Sequence, residues 1–404
     1  MNMTKNQTAG VAEESADVVV LGAGVAGLTL ANILQAAGID CVVLERATRA
    51  HVETRARAGF LVPNTARVLD RHGLAEGLHR DGRPHGSCEF RTETGSFRLD
   101  YSTLGPCEPH TAYPQQNLVT DLLAHYLAAG GRVHFETAAD AVHDIDGPRP
   151  TVDARDADGR PRRWRARYVA GCDGRHGAAR RSLPPGTRRH QRDHGVTWLS
   201  LLAEAPPSLD AIGYALHRNG FAGHMTRTPQ VTRYYLQYER GTPADAWSED
   251  RIWDELDLRL GAAEHGPLRR GPIFQRGTID LESDVVETLR HGSLLLAGDA
   301  ASLLPPAAAK GANVAVLEAE LLALALVDDL AHGDPTALDQ YSDRCLVHVW
   351  RAQEFSRWMV QLMHAPAGPD GASHFHDSLR RARIESLRTS RSHQDWFAEN
   401  YVGI

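Results

Sequence analysis

The sequence has 404 residues, of which 42% are hydrophobic and 24% charged, which is the composition of a globular protein with two or three domains. Its formal net charge of −7 argues against nucleic acid as the main partner. Five scattered cysteines without a Cys-x-x-Cys motif favour reduced thiols and a cytoplasmic location, and the 21 histidines show no metal-binding spacing. Residues 1–16 are polar and are expected to form a disordered leader without a signal peptide. The most apolar helical segment, near 314–327, is interrupted by Glu318 and Glu320, so no membrane span is expected.

A glycine-rich turn follows the first apolar strand. The strand begins at residue 17 and leads into Gly22, Gly24 and Gly27, and a second strand ends at Glu45, 23 residues after the first glycine. Gly22 allows the turn, Gly24 lets the backbone approach a pyrophosphate, and Gly27 lets the next helix pack against the strand. The carboxylate of Glu45 would accept hydrogen bonds from ribose hydroxyls. This pattern predicts an adenine dinucleotide site, and the alternative is that the glycines only shape a turn.

The middle of the chain changes from alternating strands and helices to aromatic, β-branched segments. A hairpin with its turn at Gly95 is predicted over 85–104, a helix from 113, and strands over 132–136 and 167–176. Residues 196–278 predict an antiparallel sheet, with a helix at 249–261 beside it. The last hundred residues are predicted to be largely helical.

The segment 292–313 returns the chain to the nucleotide domain. A short buried strand delivers Gly298 and Asp299 to its end, a Pro305-Pro306 bend follows, and Lys310 opens a long apolar helix. A helix N-terminus stabilises a nearby anion by about 0.3–2 kcal/mol. The segment therefore suits a polar cofactor, although an ordinary turn with a helix cap would look similar.

Taken together, these motifs resemble the single-component flavoprotein aromatic hydroxylases, and within them the p-hydroxybenzoate hydroxylase family. The resemblance covers residues 17–404 and is carried by the glycine motif with Glu45, by Arg-Ala-Arg-Ala-Gly at 55–59 and Ala-Gly-Cys-Asp-Gly at 170–174, by the segment 292–313, and most specifically by Ala-Glu-Asn-Tyr-Val-Gly at 398–403.

The resemblance implies an α/β fold with an α+β second domain. A Rossmann-like FAD-binding domain would carry an inserted antiparallel-sheet substrate domain and a helical C-terminal region. The expected FAD-binding domain comprises 17–84, 110–190 and 285–330, the substrate-binding sheet domain comprises 85–109 and 191–284, and the helical region comprises 331–404.

The resemblance also implies which residues bind FAD and the reductant. Besides the glycine motif and Glu45, the residues expected to bind FAD are Arg46, Arg57, Gly59, Gln115, Asp299, Gly311, Ala312 and Asn313. The flavin ring would lie over the helix start at Ala312 and Asn313. Arg55, His176 and Arg180 are expected to contact NADH or NADPH.

For the substrate, the resemblance implies a 4-hydroxybenzoate-type acid. Arg227 and Tyr235 would bind its carboxylate, with Thr226 nearby, and the carbonyl of Pro306 would lie against the reacting ring. Tyr214 and Tyr401 would bind the phenol, and His85 would be the distal end of their proton relay. A histidine that titrates near neutrality can accept such a proton.

Several positions depart from the family pattern. Met225 stands where a serine usually touches the carboxylate, Gly223 replaces a leucine, Ala307 a threonine, and Phe60 a common valine. These changes are expected to open space beside the ring and to favour a variant substrate. Glu282 stands where an arginine of the family helps the reductant to bind. Together with Ala47 and His51, this departure leaves the choice between NADH and NADPH open.

The sequence therefore predicts an FAD-dependent monooxygenase that uses NAD(P)H and O2 to hydroxylate a 4-hydroxybenzoate-type acid through a flavin hydroperoxide. One alternative is a substituted substrate, such as 3-amino-4-hydroxybenzoate, with shifted regiochemistry and a biosynthetic role. Others are a flavin dehydrogenase or oxidase without oxygen insertion, and a non-catalytic FAD-binding sensor or scaffold. The predicted partners are a small aromatic acid and, from the resemblance, a second copy in a homodimer, with neither nucleic acid nor membrane.

Overall fold

The computed structural model describes residues 12–55, 59–261, 266–364 and 371–403. In chain order the strands are β1 (Ala12–Ser15), β2 (Val18–Leu21), β3 (Cys41–Leu44), β4 (Phe60–Leu61), β5 (Arg83–His85), β6 (Ser87–Thr92), β7 (Gly95–Asp100), β8 (His110–Ala112), β9 (Arg132–His134), β10 (Ala138–His143), β11 (Thr151–Arg155), β12 (Pro161–Arg165), β13 (Tyr168–Gly171), β14 (Arg189–Ala203), β15 (Ile212–His217), β16 (Gly220–Thr228), β17 (Val231–Tyr238), β18 (Ile273–Val286), β19 (Arg290–His291), β20 (Leu294–Leu296) and β21 (Ser302–Leu303).

The helices are α1 (Val25–Ala36), α2 (Arg49–Thr54), α3 (Pro63–Arg71), α4 (Glu76–Asp81), α5 (Gln115–Ala128), α6 (Ala178–Arg181), α7 (Glu249–Leu260), α8 (Gly311–His332), α9 (Thr336–Asp339), α10 (Tyr341–Met363), α11 (Gly371–Thr389) and α12 (Arg391–Val402). The predicted long helix after the Pro-Pro bend is α8. It ends at Gly333, whose φ of 73° is the left-handed conformation that favours glycine at a helix end.

The nucleotide sheet has the strand order β19-β20-β13-β2-β3-β9. Strands β20, β13, β2, β3 and β9 pair in parallel, and β19 is antiparallel at the edge. All four residues of β2 are buried, as expected for a parallel strand covered on both faces. Since α1 follows β2 directly and α8 follows the turn after β20, both helices begin at the carboxyl edge of this sheet, where α/β folds place their ligands.

The second sheet, with order β1-β12-β11-β10, corrects the prediction for the leader. Residues 12–15 were expected to be disordered, but they form β1, which pairs in parallel with β12. Backbone hydrogen bonds to β12, which forms a hairpin with β11, order this polar segment. Such an edge strand has no apolar pattern from which it could be predicted.

The eight-stranded sheet has the order β21-β18-β14-β17-β16-β15-β6-β7. The predicted hairpin forms β6 and β7, and β6 joins the sheet by pairing with β15. The strands β14 and β18 extend beyond the predicted segment 196–278. Their pairing begins with Arg189 of β14 opposite Val286 of β18. The division of the chain into domains stays a prediction.

Alternate residues of this sheet serve two different cores. On one face, Tyr214, Phe221 and Tyr235 join an aromatic core with the C-terminal helices. On the other face, their neighbours Ala222 and Tyr234 pack with α7. A side-chain period of two separates the faces, so the register decides which residues line the aromatic side.

A small sheet of order β4-β8-β5 lies beside the aromatic core. Its register places Phe60 opposite Ala112 and His85 opposite His110. Cross-strand partners project to the same face, so the two histidines lie side by side.

Candidate functional site

The aromatic core brings together residues that are far apart in the sequence. Its buried members include Phe60, Tyr214, Tyr235, Ala307 and Tyr401, and Met225 packs against it. Tyr214 is the cross-strand partner of Gly223, which in turn is the partner of Tyr235. The sheet therefore places three of the predicted substrate residues in one row.

The two predicted phenol-binding tyrosines meet in this core. Tyr214 and Tyr401 are 1% and 2% exposed, and their hydroxyl oxygens are 2.6 Å apart, with either able to donate. Burial raises the pKa of each hydroxyl above its ordinary value. Both side chains therefore stay neutral at physiological pH and form a short chain of two hydroxyl donors.

The main chain of Tyr401 is held by two buried side chains that the sequence did not single out for this role. Lys310 Nζ donates to the carbonyl oxygens of Tyr401, at 3.0 Å, and of Gly403, at 2.6 Å. His110 Nε2 lies 3.0 Å from the same Tyr401 oxygen. Burial lowers the pKa of Lys310 to about 7, with Arg351 adding to the effect. These contacts fix the end of α12 against the start of α8.

His85 does not contact the two phenol-binding tyrosines directly. Its Nδ1 lies 2.9 Å from the Tyr101 hydroxyl, and no hydrogen bond within the described ranges joins it to Tyr214 or Tyr401. The expected titration near neutrality is also wrong. Burial, followed by the positive charge of Arg98, lowers the pKa of His85 to about 4, and Asp210 opposes this only partly. At neutral pH the imidazole is therefore uncharged.

Arg227 lies at the other end of the site. Its Nη2 donates to Gln116 Oε1 at 3.3 Å, and a Cβ on Gly59 would lie 2.6 Å from its Nη1. The glycine of the Arg-Ala-Arg-Ala-Gly motif thus makes room for this guanidinium. Burial and the neighbouring Arg233 lower the pKa of Arg227 to about 10, with Tyr235 opposing, so the group remains charged at neutral pH.

Arg233 is a site residue that sequence reasoning missed. It is 6% exposed, and it is the cross-strand partner of Met225. Its Nη1 donates to Ser200 Oγ at 2.7 Å, whereas its buried Nε and Nη2 have no hydrogen-bond partner among the described residues. A buried guanidinium with unpaired donors is costly unless an anion binds to it.

The positions that depart from the family pattern contact the same core. Ala307 is buried in it, while Pro306 is half-buried and its carbonyl accepts from Ala309 N at 3.1 Å. The space expected beside Gly223 is partly filled, because a Cβ there would lie 3.0 Å from the Phe221 ring and 3.4 Å from the Tyr235 ring. The Phe221 and Tyr235 rings occupy part of the volume that a larger side chain would need.

The glycine turn fits a dinucleotide. Gly22 has a φ of 99°, and a Cβ on Gly27 would lie 2.0 Å from Gly22 O. A Cβ on Gly24, by contrast, would have no atom within 4 Å, so open space lies beside the uncapped start of α1. Glu45 accepts from Ala23 N and from the main-chain N of residue 47, both at 2.8 Å, and each of its oxygens keeps a lone pair for a ribose hydroxyl.

The start of α8 offers a second opening at the same sheet edge. Gly311 and Ala312 are half-buried, a Cβ on Gly311 would meet nothing within 4 Å, and the first turn has neither an acid nor a side-chain cap. Such a helix end suits an anionic group. Asp299 and Gln115, which are also predicted to bind FAD, are half-buried residues at a strand end and a helix start.

The side chain of Asn313 is bound within the protein beside this opening. Its Oδ1 accepts from Val62 N and Thr65 Oγ1, and its Nδ2 donates to Phe60 O and Ala309 O. All its hydrogen-bonding capacity is used, so only its main chain is left for a cofactor.

The predicted reductant residues occupy different environments. Arg55 and His176 are exposed. Of the arginines predicted to bind FAD, Arg46 is exposed and Arg57 lies outside the described residues. Arg180 is buried, donating to Ala300 O at 2.6 Å and to Asp284 at 2.5 Å.

Glu282, where the family has an arginine, forms an ion pair with Arg175. Arg175 in turn donates to His176 Nε2 at 2.9 Å. Through these contacts the negative charge of Glu282 offsets the positive charge beside His176.

A cavity of about 1000 Å³ lies outside the aromatic core. His85, Thr226 and Arg227 contribute to its wall, and the tyrosine pair does not. The cavity therefore reaches both Arg227 and His85. Among the described residues there is no cluster of three potential metal ligands, and no helix has the length and apolar character needed to cross a membrane.

Comparisons with known proteins identify the family of the chain. The family described as FAD binding domain matches residues 15–356. A p-hydroxybenzoate hydroxylase of Acinetobacter baylyi is 34% identical over 389 residues, covering 96% of this chain and 95% of that protein. The chain belongs to the p-hydroxybenzoate hydroxylase family. A 3-amino-4-hydroxybenzoate 2-monooxygenase of Streptomyces platensis is 31% identical over 405 residues and covers 94% of each chain.

Among solved structures, p-nitrophenol 4-monooxygenase from Pseudomonas putida has a TM-score of 0.82 at 20% identity, covering 97% of this chain and 99% of that one. This likeness shows the fold. The predicted family, fold class and enzyme class are confirmed, and this hydroxybenzoate hydroxylase family member is an FAD-dependent aromatic monooxygenase that uses NAD(P)H and O2.

Proposed function

We propose that the enzyme hydroxylates the ring of a 4-hydroxybenzoate-type acid. The observation that carries this proposal is the placement of two charged guanidinium groups and a pair of neutral tyrosine hydroxyls around one aromatic core. A planar acid with a carboxylate at one end and a phenol at the other matches both groups.

At the carboxylate end, Arg227 and Arg233 repel each other in a buried setting. A carboxylate bound between them would relieve that repulsion and would pair the unpaired nitrogens of Arg233. Tyr235, whose ring lies 5.9 Å from the Arg233 guanidinium carbon, would close the same end. Each charge-assisted hydrogen bond would contribute about 1.5–3 kcal/mol.

At the phenol end, the tyrosine pair would favour the phenolate. A phenol with a pKa near 10 is three units from neutral pH, a deficit of roughly 4 kcal/mol. Tyr214 would donate to the phenolate oxygen and Tyr401 to Tyr214, so that both hydroxyls stabilise the charged form. An ionised phenol has the electron-rich ring that an electrophilic oxygen requires.

FAD, when bound, supplies the redox chemistry that activates O2. The glycine turn and Glu45 would hold its adenosine half, and Asp299, Gln115 and the start of α8 would hold its flavin half. The chain contributes no nucleophile, so its own residues bind the acid, orient the ring and move the phenol proton.

The test is oxidation of NADH and of NADPH by the FAD-loaded enzyme across a panel of substituted 4-hydroxybenzoates, with product identified. We expect 4-hydroxybenzoate to stimulate oxidation and to give a hydroxylated product carrying 18O from 18O2. Oxidation without 18O in the product would instead support a dehydrogenase or oxidase. No stimulation by any phenolic acid would support a non-catalytic FAD-binding protein.

A second experiment tests the tyrosine pair. The Tyr214→Phe enzyme should still oxidise NAD(P)H in the presence of substrate, since Arg227 still binds the carboxylate. Its hydroxylated product per NAD(P)H should fall by about tenfold or more, because general acid–base groups contribute about 10²–10⁴-fold. An unchanged product yield would refute the role of Tyr214.

A substituted substrate, 3-amino-4-hydroxybenzoate, is the second candidate. The 31% identity to a 3-amino-4-hydroxybenzoate 2-monooxygenase supports it, as does the absence of hydroxyls at Met225 and Ala307. The same panel of substrates distinguishes the two candidates. This one predicts preferential turnover of 3-amino-4-hydroxybenzoate and insertion of oxygen at ring position 2. A cytoplasmic location and a homodimer belong to the proposal as family expectations, and sedimentation of the holoenzyme would test the dimer.

A further inference from the structure

A buried hydrogen-bond cluster links His85 to the main chain of Tyr401. His85 and His110 are cross-strand partners, and the Tyr101 hydroxyl lies between them, 2.9 Å from His85 Nδ1 and 3.3 Å from His110 Nδ1. Tyr101 and His110 are 0% and 1% exposed, so solvent cannot satisfy them. The protons in this cluster must therefore be shared among its own members.

The protonation of His110 follows from its other neighbour. Its Nε2 lies 3.0 Å from the Tyr401 carbonyl oxygen, which can only accept, so Nε2 carries a proton. Burial, followed by the charge of Lys310, lowers the pKa of His110 to about 3, and the contact with Tyr401 opposes this only partly. The imidazole is therefore neutral, and its Nδ1 carries no proton.

Tyr101 has one proton and two neighbours that can only accept it. One is His110 Nδ1, and the other is the His85 carbonyl oxygen at 2.8 Å. If the hydroxyl donated to His85 Nδ1 instead, both of those acceptors would face an oxygen lone pair. The hydroxyl oxygen must therefore accept from His85, and His85 carries its proton on Nδ1.

We propose that Tyr101, with His110 behind it, is a positioning residue that fixes the tautomer of His85 and leaves Nε2 as the nitrogen that exchanges protons. The relay role of His85 rests on the proposed function, whereas the tautomer does not. His85 lies in the wall of the 1000 Å³ cavity, so protons can reach this residue from the cavity. A neutral His85 would accept the relay proton at Nε2 without first losing one there.

The tautomer can be measured directly in the FAD-loaded enzyme labelled with 15N-histidine. The His85 signals are those that disappear in His85→Gln. We expect a protonated Nδ1 and an unprotonated Nε2 at neutral pH. A protonated Nε2 in the unmutated enzyme would overturn the proposal, and this result requires no variant of Tyr101 to fold.

Tyr101→Phe removes the hydroxyl and keeps the ring. Loss of one ordinary hydrogen bond should shift the tautomer ratio of His85 roughly fivefold toward the Nε2-protonated form. The matched control is Tyr126→Phe, which removes a buried hydroxyl that donates to Cys41 O at 2.9 Å, far from this cluster, and should leave the ratio unchanged. An unchanged ratio in Tyr101→Phe, or an equal shift in the control, would overturn the proposal. Product analysis of Tyr214→Phe tests the proposed function separately, since the 15N spectra need no turnover.

Discussion

Removing the guanidinium of Arg227 should weaken binding of the acid substrate far more than it slows the reaction. The group lies at the proposed carboxylate end, away from the tyrosine pair, so Arg227→Gln should leave product per NAD(P)H nearly unchanged at saturating substrate. One lost hydrogen bond to a charged group costs about 1.5–3 kcal/mol, which raises Kd about 10- to 150-fold. Because Arg233 still supplies a positive charge, we expect the lower half of that range.

The measurement is a titration of the holoenzyme with 4-hydroxybenzoate, followed by the change in flavin absorbance. A parallel titration with the neutral amide, 4-hydroxybenzamide, separates charge from shape, because its affinity should hardly change. The matched control is Arg218→Gln, since this arginine lies in the turn between β15 and β16 and pairs with Glu93 at the surface. An equal loss for the amide would mean a distorted pocket, and an unchanged Kd for the acid would mean that the carboxylate binds elsewhere.

Three further predictions concern other parts of the site. Gly27→Ala should give little folded protein, since its Cβ would lie 2.0 Å from Gly22 O, whereas Gly24→Ala, with nothing within 4 Å, should fold and hold FAD more weakly; thermal unfolding and the FAD-to-protein ratio distinguish them. Burial raises the pKa of Glu318 to about 8, so the folded state keeps a proton that the unfolded chain loses near pH 4.3. Stability should therefore fall as pH rises from about 4.3 to 8, by up to about 1.4 kcal/mol per unit, and chemical unfolding of Glu318→Gln should lack this slope. Met225→Ser should lower the Kd for 4-hydroxybenzoate about fivefold by restoring a hydroxyl, and a weaker or equal affinity would place the carboxylate away from residue 225.

The nucleotide half of the molecule could be predicted from local sequence because its constraints are local. The spacing of Gly22, Gly24 and Gly27 between an apolar strand and a helix has one common structural solution, and the structure contains it. The family, fold class and cofactors followed from such motifs.

The electrostatic state of the site could not be predicted in the same way. The low pKa of His85 depends on burial and on the positive charge of Arg98, which belongs to strand β7. His85 and His110 meet only because β5 and β8 pair, and Tyr101 joins them from the turn that follows β7. Neither Tyr101 nor His110 has a signal in its own segment. Arg233 had one usable signal, since it lies two residues before Tyr235 on the same strand and therefore shares its face.

The two-faced sheet has a consequence for how this enzyme could acquire a new substrate. Gly223, Met225 and Tyr235 occupy alternate positions, so each can be replaced without touching the layer that packs on α7. A single inserted or deleted residue in β16 would have the opposite effect. It would move Ala222 and the residues that share its face into the pocket, and it would disrupt the packing on both faces of the sheet. Point substitutions can therefore change the substrate range of this fold, whereas changes in strand length cannot do so without disrupting both cores.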